Sequence, residues 1–96
     1  MLEKQFQRNL INKLQKRFPG CLILKNDPTY KQGIPDLLIL FKNKWAMLEC
    51  KKSLASTLRP NQKYYIDILS KMSFAKIISP ENEEAILDEL QQTFGT

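Results

Sequence analysis

The sequence predicts an α/β fold in which a mixed four-stranded sheet is flanked by helices, and three observations support it. Apolar residues recur at helical spacing near both ends of the chain. Short apolar runs of strand length lie between these segments. The chain has 96 residues, enough for one domain and too few for two, since a stable domain usually needs at least roughly 50 residues. We therefore expect residues 1–96 to form one domain, in the order helix, three strands, helix, strand, helix.

The first helix and the first strand are predicted by spacing and by a break. Apolar residues between Leu2 and Phe18 fall on one face of a helix, and Pro19-Gly20 ends the pattern. The apolar run at residues 21–24 then predicts a short strand. Asn26-Asp27-Pro28 breaks this strand and begins a polar loop that continues to Gly33.

Residues 37–41 and 45–50 predict the second and third strands, joined as a β-hairpin. The turn is Lys42-Asn43-Lys44, and we expect Asn43 to take the positive φ that a tight turn needs. Because both strands are apolar on both faces, they are predicted in the interior of the sheet.

The second half of the chain supplies two helices and the last strand. Pro60 suits the first turn of the second helix, and residues 74–78 predict the fourth strand. Ser79-Pro80-Glu81 predicts the start of the third helix, with Ser79 as its cap. The buried side of that helix is expected to carry four apolar residues: Ile86, Leu87, Leu90 and Phe94.

The charge distribution favours a polyanionic partner. Five of the ten acidic residues lie between positions 81 and 89, so residues 1–79 carry all 15 Lys and Arg against five acids. Lys and Arg that meet phosphates release condensed counterions, which drives association with nucleic acid at moderate salt. Basic character alone is weak support, because many protein surfaces are basic.

The cysteines and the termini indicate a reducing cytoplasm. Cys21 and Cys50 lie among strand-like apolar residues and are expected to be free and buried. With no His and no CxxC motif, a zinc site is not expected. We find no signal peptide and no run near the ~20 apolar residues of a membrane span, so no membrane partner is expected.

Charged residues inside two of the predicted strands indicate a functional site. Asp36 opens the second strand, while Glu49 and Lys51 close the third and point to the same face. A two-residue turn at Lys42-Asn43 would pair Asp36 with Glu49, with Cβ atoms ~5 Å apart. Two carboxylates that close repel each other unless a cation lies between them, and Mg²⁺ is the cation that such oxygens favour. Lys51 could then orient the attacking water or stabilise charge on a phosphate.

Pro35-Asp36 and Glu49-Cys50-Lys51, with twelve residues between Asp36 and Glu49, resemble the PD-(D/E)XK nuclease superfamily. The predicted element order is similar to the core of that restriction-endonuclease-like fold, αβββαβ with an added C-terminal helix. Within the superfamily the chain looks most like the VRR-NUC group of small phage and bacterial nucleases, over nearly its whole length. Three further features carry this likeness: Glu3 in the first helix, the run Gly-Ile-Pro-Asp-Leu at positions 33–37, and Gln62 early in the second helix.

The resemblance implies Mg²⁺- or Mn²⁺-dependent hydrolysis of DNA phosphodiester bonds by an endonuclease, with branched structures such as Holliday junctions among the substrates. It also implies a homodimer, a bacterial or phage-infected host cell, and no organic cofactor. In such a site Asp36, Glu49 and the backbone carbonyl of Cys50 would bind the metal, and Glu3 would assist. From the residues alone Glu3 points inward or outward with equal weight, and the resemblance favours the metal role.

Several residues keep two interpretations. Gln62 either contacts Lys51 or a metal-bound water, or acts as an ordinary buried cap. Lys52, Arg59 and Lys63 are either phosphate contacts or solvated surface. The aromatic residues Trp45, Tyr64 and Tyr65 are expected in the core rather than as base-stacking platforms.

Two functions of different classes follow from the sequence. The first is the metal-dependent DNA endonuclease, with Asp36, Glu49, Lys51 and Gln62 as its catalytic residues. The second is a nucleic-acid-binding module that keeps the same fold without cleaving. Retention of both carboxylates and the lysine favours the first.

Overall fold

The computed structural model describes residues 1–95, so that position 96 of the predicted domain lies outside the described residues. Within this range the chain forms three helices and four strands. They follow each other as α1 (Glu3–Arg17), β1 (Leu22–Lys25), β2 (Leu37–Phe41), β3 (Lys44–Cys50), α2 (Pro60–Met72), β4 (Phe74–Ile78) and α3 (Glu83–Phe94). The predicted α/β class and the predicted element order are confirmed.

The strands form one mixed sheet in the order β1-β2-β3-β4. β1 and β3 run antiparallel to β2, whereas β4 runs parallel to β3. The hairpin register is the predicted one, because Phe41 pairs with Lys44 and Leu38 pairs with Met47. The charged end of the hairpin is therefore fixed by the turn at its other end, since the length of a turn sets the register of both strands.

α1 and α3 cover one face of the sheet and enclose the core. Alternate residues of β2 and β3 point into this core, among them Leu37, Ile39 and Leu48, each fully buried. Phe18 packs edge-on against Phe94 at 5.2 Å between ring centroids, and Phe41 lies close to both rings. The predicted buried side of α3 is confirmed, since all four of its expected residues are buried.

α2 covers the opposite face only over β3 and β4. β1 and the outer half of β2 are left open on that side, where Leu22 is 56% exposed, Leu24 is 43% exposed and Leu40 is 36% exposed. Leu22 pairs with Leu40 across the two strands, so these side chains form one apolar patch. The expectation that β2 is buried on both faces is wrong at Leu40, because none of the helices formed by residues 1–95 lies over this corner of the sheet.

Ion pairs between α1 and α3 explain the acidic C-terminal segment. Glu83 is buried and accepts a hydrogen bond from Lys13 Nζ at 2.6 Å. Arg17 pairs with Glu84 at 3.6 Å and also with Asp88. Part of the negative charge of residues 81–89 is therefore used to hold the two helices together.

The start of α3 differs from the prediction. Ser79 does not cap the helix, which begins at Glu83. Instead Asn82 Oδ1 accepts hydrogen bonds from Ser79 N at 2.7 Å and Ser79 Oγ at 3.3 Å, and Asn82 Nδ2 donates to Ile77 O at 3.1 Å. Asn82 thereby closes a turn that separates β4 from the helix, and this turn takes up the residues predicted as the first helical turn.

Three smaller expectations need correction. The positive φ in the hairpin turn belongs to Lys42, at 57°, and not to Asn43. β1 is displaced by one residue from the predicted run and begins at Leu22. Tyr64 is 58% exposed rather than part of the core, because it lies on the outer side of α2.

The cysteine prediction is confirmed in that both thiols are free, although Cys21 is only partly buried. Among residues 1–95, no helix combines the length and the apolar character that crossing a membrane requires.

Candidate active site

Asp36 and Glu49 face each other at the open end of the β2–β3 hairpin. The last pair of the ladder is Leu37 with Leu48, so the next residues outward, Asp36 and Glu49, stand opposite one another. Asp36 Oδ2 accepts a hydrogen bond from the backbone N–H of Cys50 at 2.9 Å. The predicted carboxylate pair is therefore brought together, and one of its members is anchored to the neighbouring strand.

Lys51 follows directly after β3 and is held there by β4. Its backbone N–H donates to Ile78 O at 2.9 Å, which continues the parallel ladder by one residue. Its Nζ lies 3.9 Å from Glu49 Oε2 and donates to Gln62 Oε1 at 3.3 Å. The lysine side chain is mostly buried, with 13% exposed, so its charge acts close to the carboxylate pair.

Gln62 connects the two strands to α2. Its Nε2 donates to Glu49 Oε2 at 3.1 Å, and its Oε1 accepts from Lys51 Nζ. The same Oε1 accepts the backbone N–H of Arg59 at 2.9 Å, one of the N-terminal groups that a helix leaves without an intrahelical partner. Both interpretations of Gln62 are thus combined in one side chain, which caps α2 and contacts Lys51.

The ionised forms of both carboxyls are disfavoured at this site. Glu49 is 3% exposed, and the pKa of its carboxyl is raised to about 7, chiefly by burial and then by repulsion from Asp36 and Glu3, against the lowering effect of Lys51. Burial also raises the pKa of Asp36, opposed first by the hydrogen bond from Cys50. The pair therefore favours either a proton or a cation beside it.

The donor chemistry of this pair fits a hard divalent ion. Mg²⁺ is commonly held by one or two carboxylates together with water, and Asp36 and Glu49 supply two. The N–H and C=O of one strand residue point to the same side, so the carbonyl of Cys50 faces Asp36, as its N–H does. Hard oxygen donors thus meet where burial disfavours negative charge that has no cation beside it.

Glu3 is not assembled with the pair into a ready-made cluster. Within residues 1–95, no group of three or more His, Cys, Asp or Glu side chains is arranged to hold a metal. Glu3 is exposed in the first turn of α1, from where its charge raises the pKa of Asp36 and Glu49. In this structure Glu3 therefore affects Asp36 and Glu49 by electrostatic repulsion and not as part of a ligand cluster.

The thiol of Cys50 lies on the other face of β3 and takes no part in the pair. The residue is fully buried, and burial, followed by repulsion from Asp36 and Glu49, raises the pKa of the thiol. A contact with Gln7 of α1 acts in the opposite direction. The thiol is therefore protonated near neutral pH, and only the backbone of Cys50 can serve a metal.

The three basic residues predicted near the site differ in their surroundings. Arg59 is exposed and lines a cleft beside Asp36. Lys52 is exposed next to Lys51. Lys63 Nζ pairs with Asp67 one turn later, at 3.3 Å. Arg59 is thus the basic residue of this set that directly borders the site.

Sequence reasoning missed the residues that form the rest of the cleft, among them Thr29, Gln32 and Asn61. Gly33 gives the one local signal, because it opens the Gly-Ile-Pro-Asp run and takes a φ of 90°. A Cβ at this position would lie 2.7 Å from the backbone of Asn61. Close approach of the loop to α2 thus explains the glycine.

The chain matches none of the protein-family models to which it was compared, and none of the curated proteins. The site itself is therefore the basis for inferring a function.

Proposed function

We propose that this protein is a metal-dependent nuclease that hydrolyses phosphodiester bonds of DNA, with a restriction-endonuclease-like core of the PD-(D/E)XK type. The observation that supports this most strongly is the group of buried Glu49 with partly buried Asp36 and Lys51 at the end of the hairpin, joined by Gln62. Placing a buried and a partly buried carboxylate side by side is costly for stability unless they serve a ligand, because the pKa of each is raised above its ordinary value.

The proposed metal is Mg²⁺ or Mn²⁺. Asp36, Glu49 and the carbonyl of Cys50 would hold it, with Glu3 assisting through its charge or through water. When bound, such an ion makes water a stronger nucleophile and offsets charge that develops on the phosphate. Its own positive charge would also keep both carboxyls ionised at neutral pH.

Lys51 acts at the reacting phosphate in this proposal. Its ammonium lies at the edge of the carboxylate pair, where it can donate to a phosphate oxygen or to the attacking water. In the reaction the water oxygen forms a bond to phosphorus, the bond from phosphorus to the leaving oxygen breaks, and a proton passes to that oxygen. Gln62 holds Lys51 and Glu49 in place, so it is a positioning residue when the substrate does not touch it.

A polyanionic substrate agrees with the charge of the molecule. The net charge is +5, and pairing with α1 and β4 engages acids of α3. Arg59 at the cleft, together with exposed Lys52 and Lys63 nearby, would contact phosphates along the strand. By its likeness to the VRR-NUC group, the substrate is branched DNA in the cytoplasm of a bacterium or a phage-infected cell.

The protein is further proposed to work as a homodimer. A two-fold arrangement lets a small domain reach both strands of a duplex or junction with two identical sites. The apolar patch of Leu22, Leu24 and Leu40 is available to be buried by such association, and β1 lies at the edge of the sheet beside it.

The deciding experiment is cleavage of a four-way junction and of a linear duplex matched in sequence, in Mg²⁺, Mn²⁺ or EDTA. Wild type should cut in either metal and not in EDTA. Lys51→Ala should reduce the rate by at least ~100-fold, because it removes a charge that stabilises the transition state. Lys71→Ala, which removes an exposed lysine in the last turn of α2, is the matched control and should cut like wild type.

Binding measured alongside cleavage separates the two functions. Metal-dependent cutting that Lys51→Ala loses, with binding kept, supports the nuclease. Tight binding in EDTA with no cutting by wild type in either metal would favour a nucleic-acid-binding module. Equal cutting by Lys51→Ala and wild type would contradict the role of the lysine.

A further inference from the structure

A cleft of about 360 Å³ opens directly beside the carboxylate pair. One wall is the loop between β1 and β2, and the other is the start of α2. Asp36 and Gln62 belong both to the cleft and to the candidate active site. A group bound in the cleft would therefore be adjacent to the reacting phosphate.

Local contacts fix both walls of the cleft. Asn26 Nδ2 donates to Pro35 O at 2.8 Å, and Asn26 N donates to Asp36 O at 2.9 Å, which ties the base of the loop to the site. Asp27 Oδ1 accepts from Thr29 N at 2.8 Å and from Thr29 Oγ1 at 2.6 Å. Gly33 touches the backbone of α2, so the loop and the helix start are in contact. The cleft is therefore formed before any ligand binds.

The groups that line the cleft fit a nucleobase better than a phosphate alone. Gln32 and Asn61 each carry a hydrogen-bond donor and a hydrogen-bond acceptor, as the edge of a base does, and Thr29 Oγ1, which donates its proton to Asp27, still offers an acceptor. Pro28 and Ile34 add apolar surface for the face of a ring. Arg59 is the one cation among the lining residues, whereas a site for phosphates alone would be expected to have several.

The volume limits the ligand to one nucleotide. Pockets for small ligands usually measure about 300–1,000 Å³, so this cleft lies at the lower end of the range. We propose that the cleft holds a single unpaired nucleotide, with its base against Thr29, Gln32 and Asn61 and its phosphate near Arg59. The inference rests on the proposed nuclease function and narrows its substrate to DNA that offers an unpaired nucleotide beside the cut, such as a flap, an open junction or a single strand.

Fluorescence of 2-aminopurine tests the cleft without relying on cleavage. The probe is a flap substrate with 2-aminopurine placed in turn at the unpaired positions next to the branch, bound by wild type in EDTA. The fluorescence should rise on binding at one position, because a base taken out of its stack is no longer quenched by its neighbours. A fully paired duplex with the same base should show no rise.

Gln32→Trp is the variant that tests the cleft, because its larger side chain would fill the space proposed for the base. Both the rise in fluorescence and cleavage of the flap should fall by ~10-fold or more, equivalent to about 1.4 kcal/mol, because the indole would take the place of the base. Tyr30→Trp is the matched control, since Tyr30 is 84% exposed on the same loop and does not line this cleft. Melting temperatures of both variants show that each is folded.

The outcomes separate the cleft from the nuclease. Cleavage by wild type with unchanged fluorescence at every position, and normal cutting by Gln32→Trp, would overturn the nucleotide site and leave the nuclease standing. A rise in fluorescence that Gln32→Trp abolishes, with no cutting in any metal, would support the site and reject the nuclease. Absence of both cutting and a fluorescence change would reject both.

Discussion

Glu49 is the residue at which stability and function conflict. It is almost fully buried. Burial and repulsion from Asp36 raise the pKa of its carboxyl to about 7. Gln62 and Lys51 contact it, yet these contacts do not bring its pKa back to the ordinary value of 4.5. A buried carboxyl with a raised pKa is expected where a cation binds, since the positive charge of the cation stabilises the carboxylate.

The raised pKa of Glu49 predicts that the metal-free protein loses stability as the pH rises. A raised folded-state pKa stabilises the fold fully below pH ~4.5, and this contribution is lost as the pH passes through about 7. The loss amounts to about 3 kcal/mol, at 1.36 kcal/mol per unit. In urea titrations without metal, Glu49→Gln should therefore be more stable than wild type at pH 8 and similar to it at pH 5.

Two comparisons complete this test. Glu89→Gln, which alters a half-exposed partner of Lys76, should leave the pH dependence of unfolding unchanged. Mg²⁺ at pH 8 should stabilise wild type by about 2.7 kcal/mol at 100 times its Kd, and Glu49→Gln much less. Wild-type stability that stays level between pH 5 and pH 8 would contradict the raised pKa.

Gln62 is predicted to matter more for cleavage than for stability. Gln62→Ala removes its contacts with Glu49 and Lys51 together with the cap on Arg59 N. Cleavage should fall by ~10- to 100-fold, as for other residues that orient metal ligands. Loss of the cap should lower the free energy of unfolding by about 1 kcal/mol.

Gln62→Glu distinguishes the two roles of this side chain. Glutamate can still accept from Arg59 N, so the cap is kept, but it cannot donate to Glu49 and adds a third negative charge. Its stability at pH 5 should be within about 0.5 kcal/mol of wild type, because capping boxes accept either residue. Cleavage by this variant should still be impaired; full activity in both Gln62 variants would show that the side chain serves only the helix.

At the scale of the elements, the contact between the β1–β2 loop and α2 shapes the cleft. Gly33 and Gly20 both take a φ of 90°, but their surroundings differ. An added Cβ at Gly33 would lie 2.7 Å from Asn61 C and O, whereas at Gly20 it would meet nothing within 4 Å. Substitution at Gly20 would therefore introduce backbone strain alone, whereas substitution at Gly33 would introduce both strain and a steric clash.

Alanine at these two positions should have unequal effects. Gly20→Ala should cost about 1–2 kcal/mol, the strain of a left-handed backbone. Gly33→Ala should cost at least about 1 kcal/mol more, because the loop must move away from α2. Urea unfolding measures the difference, and cleavage should fall in Gly33→Ala alone. Equal stabilities of the two variants would mean that the loop yields without cost.

At the scale of the whole molecule, charge and apolar surface are kept apart. Acids of α3 pair with Lys13 and Arg17 of α1 on one side of the sheet. The apolar patch of Leu22, Leu24 and Leu40 lies on the opposite side, beyond the edge of α2. Two copies related by a two-fold axis would present the same leucines and the same edge strand to each other.

The patch predicts how the proposed homodimer should respond to substitution. Light scattering at micromolar concentration should give a dimer mass for wild type. Leu22→Lys combined with Leu40→Lys should give a monomer, because four lysines would then meet at the interface. Met72→Lys, at a residue 67% exposed at the end of α2, is the control and should remain dimeric. A monomeric wild type would count against the homodimer.

Local rules in the sequence determined the element order, the hairpin register and the pairing of Asp36 with Glu49. A strand alternates its side chains with a period of two, and the Lys42-Asn43 turn sets which residues face each other, so one segment of chain contains the whole arrangement. The prediction that Asn43 takes the positive φ was wrong, because Lys42 and Asn43 both occupy the turn and the tolerance of Asn for this conformation does not decide between them.

The tertiary structure decided what the carboxylate pair meets. Gln62 reaches Glu49 and Lys51 only because α2 packs on the same face of the sheet, and Gly33 reaches Asn61 across 28 positions of sequence. The start of α3 at Glu83 is different, because it depends on local hydrogen bonds of Asn82 with Ser79 and Ile77 that the Ser-Pro-Glu pattern did not reveal. Contacts between distant segments depend on how helices settle on the sheet, which is a property of the packed core and carries no period in the sequence.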